Sequence, residues 1–127
     1  MDSHDSLRLS ALPKTWILDL DGTLVKHNGY KTEQGDVLLP GAREFLNQLG
    51  EDDLVVIITS RPEEHRGQTE TFLREQGIRF DYIIWGAPCG ERILLNDSKP
   101  SGLKTAYAVN CTRDHFEGLE CFIDETL

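Results

Sequence analysis

Apolar positions fall into short runs separated by polar, glycine-bearing segments, and their period changes along the chain. Trp16-Ile17-Leu18 is a compact apolar run that predicts a short buried strand. Pro40-Gly41 then opens a segment in which Ala42, Phe45, Leu46 and Leu49 recur at helical spacing, with Gly50 placed as a C-terminal helix cap. LVVIIT, residues 54–59, is β-branched and almost wholly apolar, the pattern of a strand covered on both faces. Ser60 to Glu63 has capping-box spacing, with Pro62 near the first turn, and predicts a helix that runs to Gly77. FDYIIW (80–85) and RILL (92–95) predict two further strands. Doubly buried strands joined by helices predict a parallel α/β sheet with helices on both faces.

The intervening segments break this rhythm. Residues 24–40 are polar, with Asn28-Gly29 and a second glycine at 35, which predicts a small hairpin flap rather than a helix. Within residues 98–127, SKPSGLKTAYAVNCTRD (98–114) fits either a helix or an edge strand. The opening MDSHDSLRLSALPK lacks the charged start and apolar middle of an export signal and reads as a flexible arm over residues 1–13. Residues 14–127 then form one domain, and 127 residues suffice for a real core.

Composition narrows the class. A hydrophobic fraction of 39% and a charged fraction of 28% belong to a folded soluble domain. A net charge of -9 argues against a nucleic-acid partner held on a basic face. No apolar run approaches the roughly 20 residues of a membrane span, so no membrane partner is expected. Cys89, Cys111 and Cys121 show no metal-ligand spacing and read as reduced thiols of a cytoplasmic protein. His4, His27, His65 and His115 are scattered and receive no role.

In open α/β sheets ligands bind beyond the carboxyl ends of the strands. There the sequence places Asp19, Asp21 and Thr23; then Thr59, Ser60 and Arg61; then Asn96, Asp97 and Lys99. Carboxylates clustered without cations repel one another, and a hard divalent cation such as Mg²⁺ removes that conflict. A carboxylate left free can attack phosphorus, and a second one two residues on can move the proton. Hydroxyl and backbone N–H groups around Thr59 and Ser60 can hold phosphoryl oxygens, or cap the next helix. Arg61 and Arg66 fit a helix surface as well as a substrate anion.

DLDGTL (19–24) resembles the first signature, DxDxT, of the haloacid dehalogenase superfamily, and VVIITSRP is similar to its second. PGAREFLNQL is similar to the helix between them, and the resemblance covers roughly residues 16–100. It implies a Rossmann-like three-layer sandwich with a central, mostly parallel sheet. It implies Asp19 as the nucleophile that forms an aspartyl-phosphate and Asp21 as general acid/base. Thr59 and Ser60 would bind phosphate, and Asp97 would join Asp19 and Asp21 in holding Mg²⁺. Fewer than forty residues separate Asp21 from Thr59, so no large cap fits and the flap alone guards the site.

The third signature departs from this pattern. Members of the sugar and capsule-biosynthesis type show a GKP-like turn before an IDD-like strand end, where this chain has Gly86-Ala87-Pro88 and Leu95-Asn96-Asp97. Lys99 or Arg92 would supply the missing cation. In a rival alignment Lys99-Pro100 is the third signature, and CFIDE (121–125) delivers Asp124 and Glu125 to the metal. The rival gives a crossover of normal length, since GAPCGE is shorter than a helical crossover requires. It also leaves no closing helix after the site, and Asp97 is the preferred third acid.

The function these features imply is a Mg²⁺-dependent phosphatase acting on a phosphorylated small molecule, a phosphosugar by analogy, or on a bulky phosphoester. A homo-oligomer would cover the open site. The alternative is a phosphate-ligand binding or regulatory module of the same fold with weak catalysis, motivated by Ala87 and Asn96. A phospho-receiver domain is disfavoured, because LVVIITS ends without an aspartate.

Overall fold

The chain runs in the order β1 (Leu7–Leu9), β2 (Thr15–Asp19), α1 (Ala42–Asn47), β3 (Leu54–Ile58), α2 (Arg66–Glu75), β4 (Tyr82–Ile84) and β5 (Cys121–Ile123). These elements come from a computed structural model that describes residues 6–116 and 119–127; residues 1–5, with His4, lie outside the described residues. Every strand pair is parallel. Strands β2, β3 and β4 form one sheet with β3 at its centre, and β1 pairs with β5 in a second sheet. The result is a small α/β fold with little helix, and no helix among the described residues is long and apolar enough to cross a membrane.

Two expectations are corrected at once. The strands form two separate sheets rather than one, and Leu7–Leu9, placed in the flexible arm, is a strand in register with Cys121–Ile123. Residues 92–95 form no strand: Ile93 and Leu95 are 83% and 90% exposed. The physical reason is the short GAPCGE connection, because a parallel neighbour of β4 needs a crossover of about a dozen residues or more.

The core gathers on one side of the larger sheet. Val55 and Ile57 point from β3 into a buried cluster with Ala42 and Leu46 of α1, Leu73 of α2, and Leu20, Leu24 and Val25 from the loop after β2. Each fully buried Val, Leu or Ile stabilises the fold by roughly 1.5–3 kcal/mol. Alternation along the strands sends Ile17, Tyr82 and Ile84 to the opposite face, where they are 51%, 63% and 50% exposed. The expected burial of LVVIIT on both faces is therefore half right, since among the described residues no helix follows β4 to cover the outer face.

Helix ends explain the lengths. Helix α2 closes with Gly77 at φ 71, where Ile78 N–H donates to the Leu73 carbonyl and Gly77 N–H to that of Arg74. This six-to-one, five-to-two pair is a Schellman cap, and it turns Ile78 into the core beside Leu73. The helix begins later than Ser60 predicts, because a 3₁₀ turn over Glu63–His65 precedes it and no side-chain cap forms. Helix α1 ends at Asn47, short of the expected Gly50, whose N–H donates instead to Asp53.

Asp53 latches the start of β2 to the turn before β3. Its carboxylate accepts from Lys14 N–H at 2.9 Å, the Trp16 indole N–H at 2.9 Å and Gly50 N–H at 3.1 Å. Burial alone would raise its pKa, but these donors and the Lys14 charge hold it below the ordinary carboxylate value. A depressed folded-state pKa means that the stabilisation is complete above the unfolded value of about 3.9 and fades as the pH falls below it. Asp53→Ala is expected to lower the unfolding free energy by about 1–2 kcal/mol at pH 7 and by less at pH 3, read from urea midpoints at both pH values.

Candidate functional site

The candidate site is built by the turn that follows β2. The Leu20 carbonyl accepts from the N–H groups of Thr23, Leu24 and Val25, and Gly22 N–H donates to the Val25 carbonyl, winding DLDGTLV into a tight loop. Gly22 lies at φ 85, and a Cβ there would come within 3.2 Å of Arg113 Cγ. The positive φ is what favours glycine here, and a Cβ would also press on the Arg113 side chain. The turn sets Asp19 at the carboxyl end of β2 and carries Asp21 back toward the start of the α2 segment.

Each acid has its own cation. The Thr23 hydroxyl donates to Asp19 Oδ2 at 3.0 Å, and Arg92 Nη1 donates to Asp19 Oδ1 at 2.8 Å, both charged side chains being 38% exposed. Arg61 donates from Nε to Asp21 Oδ2 at 3.1 Å and from Nη2 to Asp21 Oδ1 at 2.9 Å. The same guanidinium reaches Asp36 Oδ1 at 2.6 Å and Oδ2 at 3.0 Å, and the Thr69 hydroxyl at 2.8 Å. The Tyr30 ring lies 4.0 Å from its carbon centre. Burial would lower the Arg61 pKa, but hydrogen bonds and charge from Asp36 and Asp21 raise it above its ordinary value. Arg61 is therefore charged at every working pH.

Arg61 thus leaves neither of the roles the sequence offered it intact, for it is 2% exposed and lies on no helix surface. Its own N–H donates to the Thr59 hydroxyl at 3.1 Å, and its carbonyl accepts from Gly86 N–H at 2.8 Å. Thr59 sits one residue past Ile58, the rung opposite Asp19, with its hydroxyl buried in this turn. Ser60 follows, half-buried. Ala87, where the resemblance implied a lysine, donates its N–H to the Thr59 carbonyl at 3.0 Å, so the GAP turn braces the Thr59–Arg61 turn through backbone.

The flap closes over this network. Lys26 N–H donates to Val37 and Leu39 N–H to Leu24, so the two legs of residues 24–39 pair antiparallel around a 3₁₀ turn at Gly29–Lys31. Tyr30 and Asp36 are its contribution to Arg61. At the flap root Asp114 accepts from His27 N–H at 2.7 Å and donates its own N–H to the Gly22 carbonyl. Asp36, Tyr30 and Asp114 carried no signal in the sequence beyond their polarity within loops. An open groove of about 610 Å³ runs from Asp36 along the start of α1 to Phe72 and Gln76, and meets the acids through Asp36 alone.

The third acid does not arrive. Among the described residues no three His, Cys, Asp or Glu side chains form a set able to hold a metal ion, so neither Asp97 nor Asp124 joins Asp19 and Asp21. Asp97 is exposed because the strand expected to deliver it does not form. Asp124 is occupied elsewhere: the Thr126 hydroxyl and N–H and Arg8 hold its carboxyl down to about 2. Of the two cations the sequence offered, Lys99 lies in an exposed turn closed by Gly102 N–H, and Arg92 is the one that reaches Asp19. The donors at hand are of the hard, oxygen kind: the partly exposed Asp19 carboxylate and the Asp21 main-chain carbonyl, which among the described residues accepts no main-chain hydrogen bond. In comparison with known proteins, no family model, curated protein or solved structure matches this chain.

Removing one partner from a buried ion network leaves the others uncompensated. Arg61→Met is expected to cost about 3–5 kcal/mol of unfolding free energy. Arg66→Ala, which breaks the exposed pairs with Glu63 and Glu70, should cost under about 1 kcal/mol, and denaturant unfolding of the two variants side by side measures the contrast.

Proposed function

We propose that the chain is a Mg²⁺-dependent phosphomonoester phosphatase of the haloacid dehalogenase type, working through Asp19. The observation that carries this reading is the state of Asp19: a partly exposed carboxylate at the carboxyl end of a parallel strand, pinned by Thr23 on one oxygen and facing the Arg92 guanidinium with the other. The finer architecture, a Rossmann-like three-layer sandwich without a large cap, belongs to the same proposal.

In this mechanism the phosphoryl group enters between Asp19 and Arg92, whose guanidinium turns from the carboxylate to phosphoryl oxygens, a match of planar donor and anion. An Asp19 oxygen attacks phosphorus while the bond to the leaving oxygen breaks. That oxygen keeps the bonding pair and takes a proton from Asp21, whose carboxylate first accepts it from solvent at an acceptor position that Arg61 leaves open. Water then attacks the aspartyl-phosphate, gives its proton back to Asp21 and releases phosphate with Asp19 restored. Asp19 and the Asp21 carbonyl would hold Mg²⁺, which when bound supplies charge neutralisation of the phosphoryl oxygens.

The exposure of Asp19 and Arg92 favours a bulky phosphoester, or a small phosphosugar enclosed by a second subunit. The second reading, a phosphate-binding module with slow chemistry, draws support from the arginine partners of both acids and from Ala87 acting through its backbone. Phosphate release from 4-nitrophenyl phosphate should require Mg²⁺, disappear with EDTA and be abolished by Asp19→Asn. Arg92→Ala should lower kcat/KM by about tenfold or more, less than the hundredfold and above typical of a buried donor. Phosphate-dependent thermal stabilisation without turnover across a phosphoester panel would select the binding module, and turnover that survives Asp19→Asn refutes the mechanism.

A further inference from the structure

We propose that Arg61 is a positioning residue that ties the flap to Asp21, so that the acid/base group is aligned only while Tyr30 and Asp36 are in place. This rests on the phosphatase reading and extends it to the control of proton transfer. A guanidinium has five N–H bonds, and all five of Arg61 are used: one Nε and one Nη2 bond on Asp21, one Nη1 and one Nη2 bond on Asp36, and one Nη1 bond on Thr69. The side chain is 1% exposed and that of Asp36 is 3% exposed, so water cannot take over a lost partner without opening the network.

The geometry makes the two ends interdependent. Nη2 is shared, reaching Asp21 at 2.9 Å and Asp36 at 2.6 Å, so one planar group cannot turn toward one acid without leaving the other. Thr69 on α2 and the main-chain bonds to Thr59 and Gly86 fix Arg61 to the frame, whereas Asp36 and Tyr30 belong to the flap. A displaced flap withdraws two hydrogen bonds and the aromatic face from the group that orients Asp21. Arg61 takes two of the roughly four acceptor positions on the Asp21 carboxylate and leaves the others for the travelling proton. The seat of Asp36 and Tyr30 and the alignment of the proton donor are therefore set by the same guanidinium.

Leaving-group dependence separates this role from a general loss of structure. An alkyl phosphate needs protonation of its leaving oxygen, and a 4-nitrophenyl phosphate scarcely does. Asp21→Asn serves as the reference and should lose about 100-fold on the alkyl substrate, far more than on the aryl one. Asp36→Asn and Tyr30→Leu, which leave both catalytic acids unaltered, should lose about tenfold in kcat on the alkyl substrate and about twofold on the aryl, with KM little changed. Arg61→Lys, which keeps the charge and loses the fork, should follow the same pattern, and circular dichroism verifies that each variant is folded. If Asp21→Asn discriminates between the substrates and the folded flap variants slow both equally, the coupling through Arg61 is overturned. If Asp21→Asn itself shows no discrimination, the acid/base assignment of the phosphatase reading fails instead.

Discussion

A single buried guanidinium holds this molecule's working end together. Arg61 binds residues 21, 36, 59, 69 and 86, which lie on five different segments of the chain. Isolated, a cation so deeply buried would be strongly disfavoured, and each carboxylate beside it would be too. Together they satisfy every donor the arginine has, and no buried side-chain polar atom among the described residues lacks a partner. Such a network adds little net stability compared with an apolar core of the same volume, but it admits few alternative arrangements. Its contribution is to fix geometry where chemistry is proposed.

The apolar core and this polar knot divide the fold between them. Helices α1 and α2 pack on one face of β2-β3-β4, and the Trp16–Phe45–Phe116 run of edge-to-face rings extends that layer toward the flap root. Arg79 closes the far end, donating to the carbonyls of Leu49, Gly50, Glu51 and Asp53 that the short α1 leaves exposed. Arg43 does the same for Gln76 after α2. Arginine is used throughout as a planar staple for backbone ends, which is why a chain with little helix still orders its turns.

Much of this was legible in the sequence wherever the signal was local. WILD, LVVII and YII became strands and the helix closed at Gly77, because each depends on the residues beside it. What was not legible depended on distant partners. RILL has the composition of a strand but no room to reach a slot in the sheet. Asp97 could be placed at a strand end only if that strand existed. Arg61 stood within VVIITSRP in plain view, yet its burial is set by Asp36, whose position follows from how the flap returns. The arm before Pro13 looked polar and loose, and its strand forms because Cys121–Ile123, more than a hundred residues away, offers a parallel edge.

The flap also bears on how a fold of this kind can grow. Residues 31–34 at its tip are exposed, and a Cβ on Gly35 would meet nothing within 4 Å, whereas Asp36 to Leu39 are locked by Arg61 and by pairing with the opposite leg. Extra chain inserted between Thr32 and Gly35 would leave Asp36, Tyr30 and the register of both legs untouched. The tip is therefore the point at which a larger cover could be added to the site without rebuilding anything beneath it.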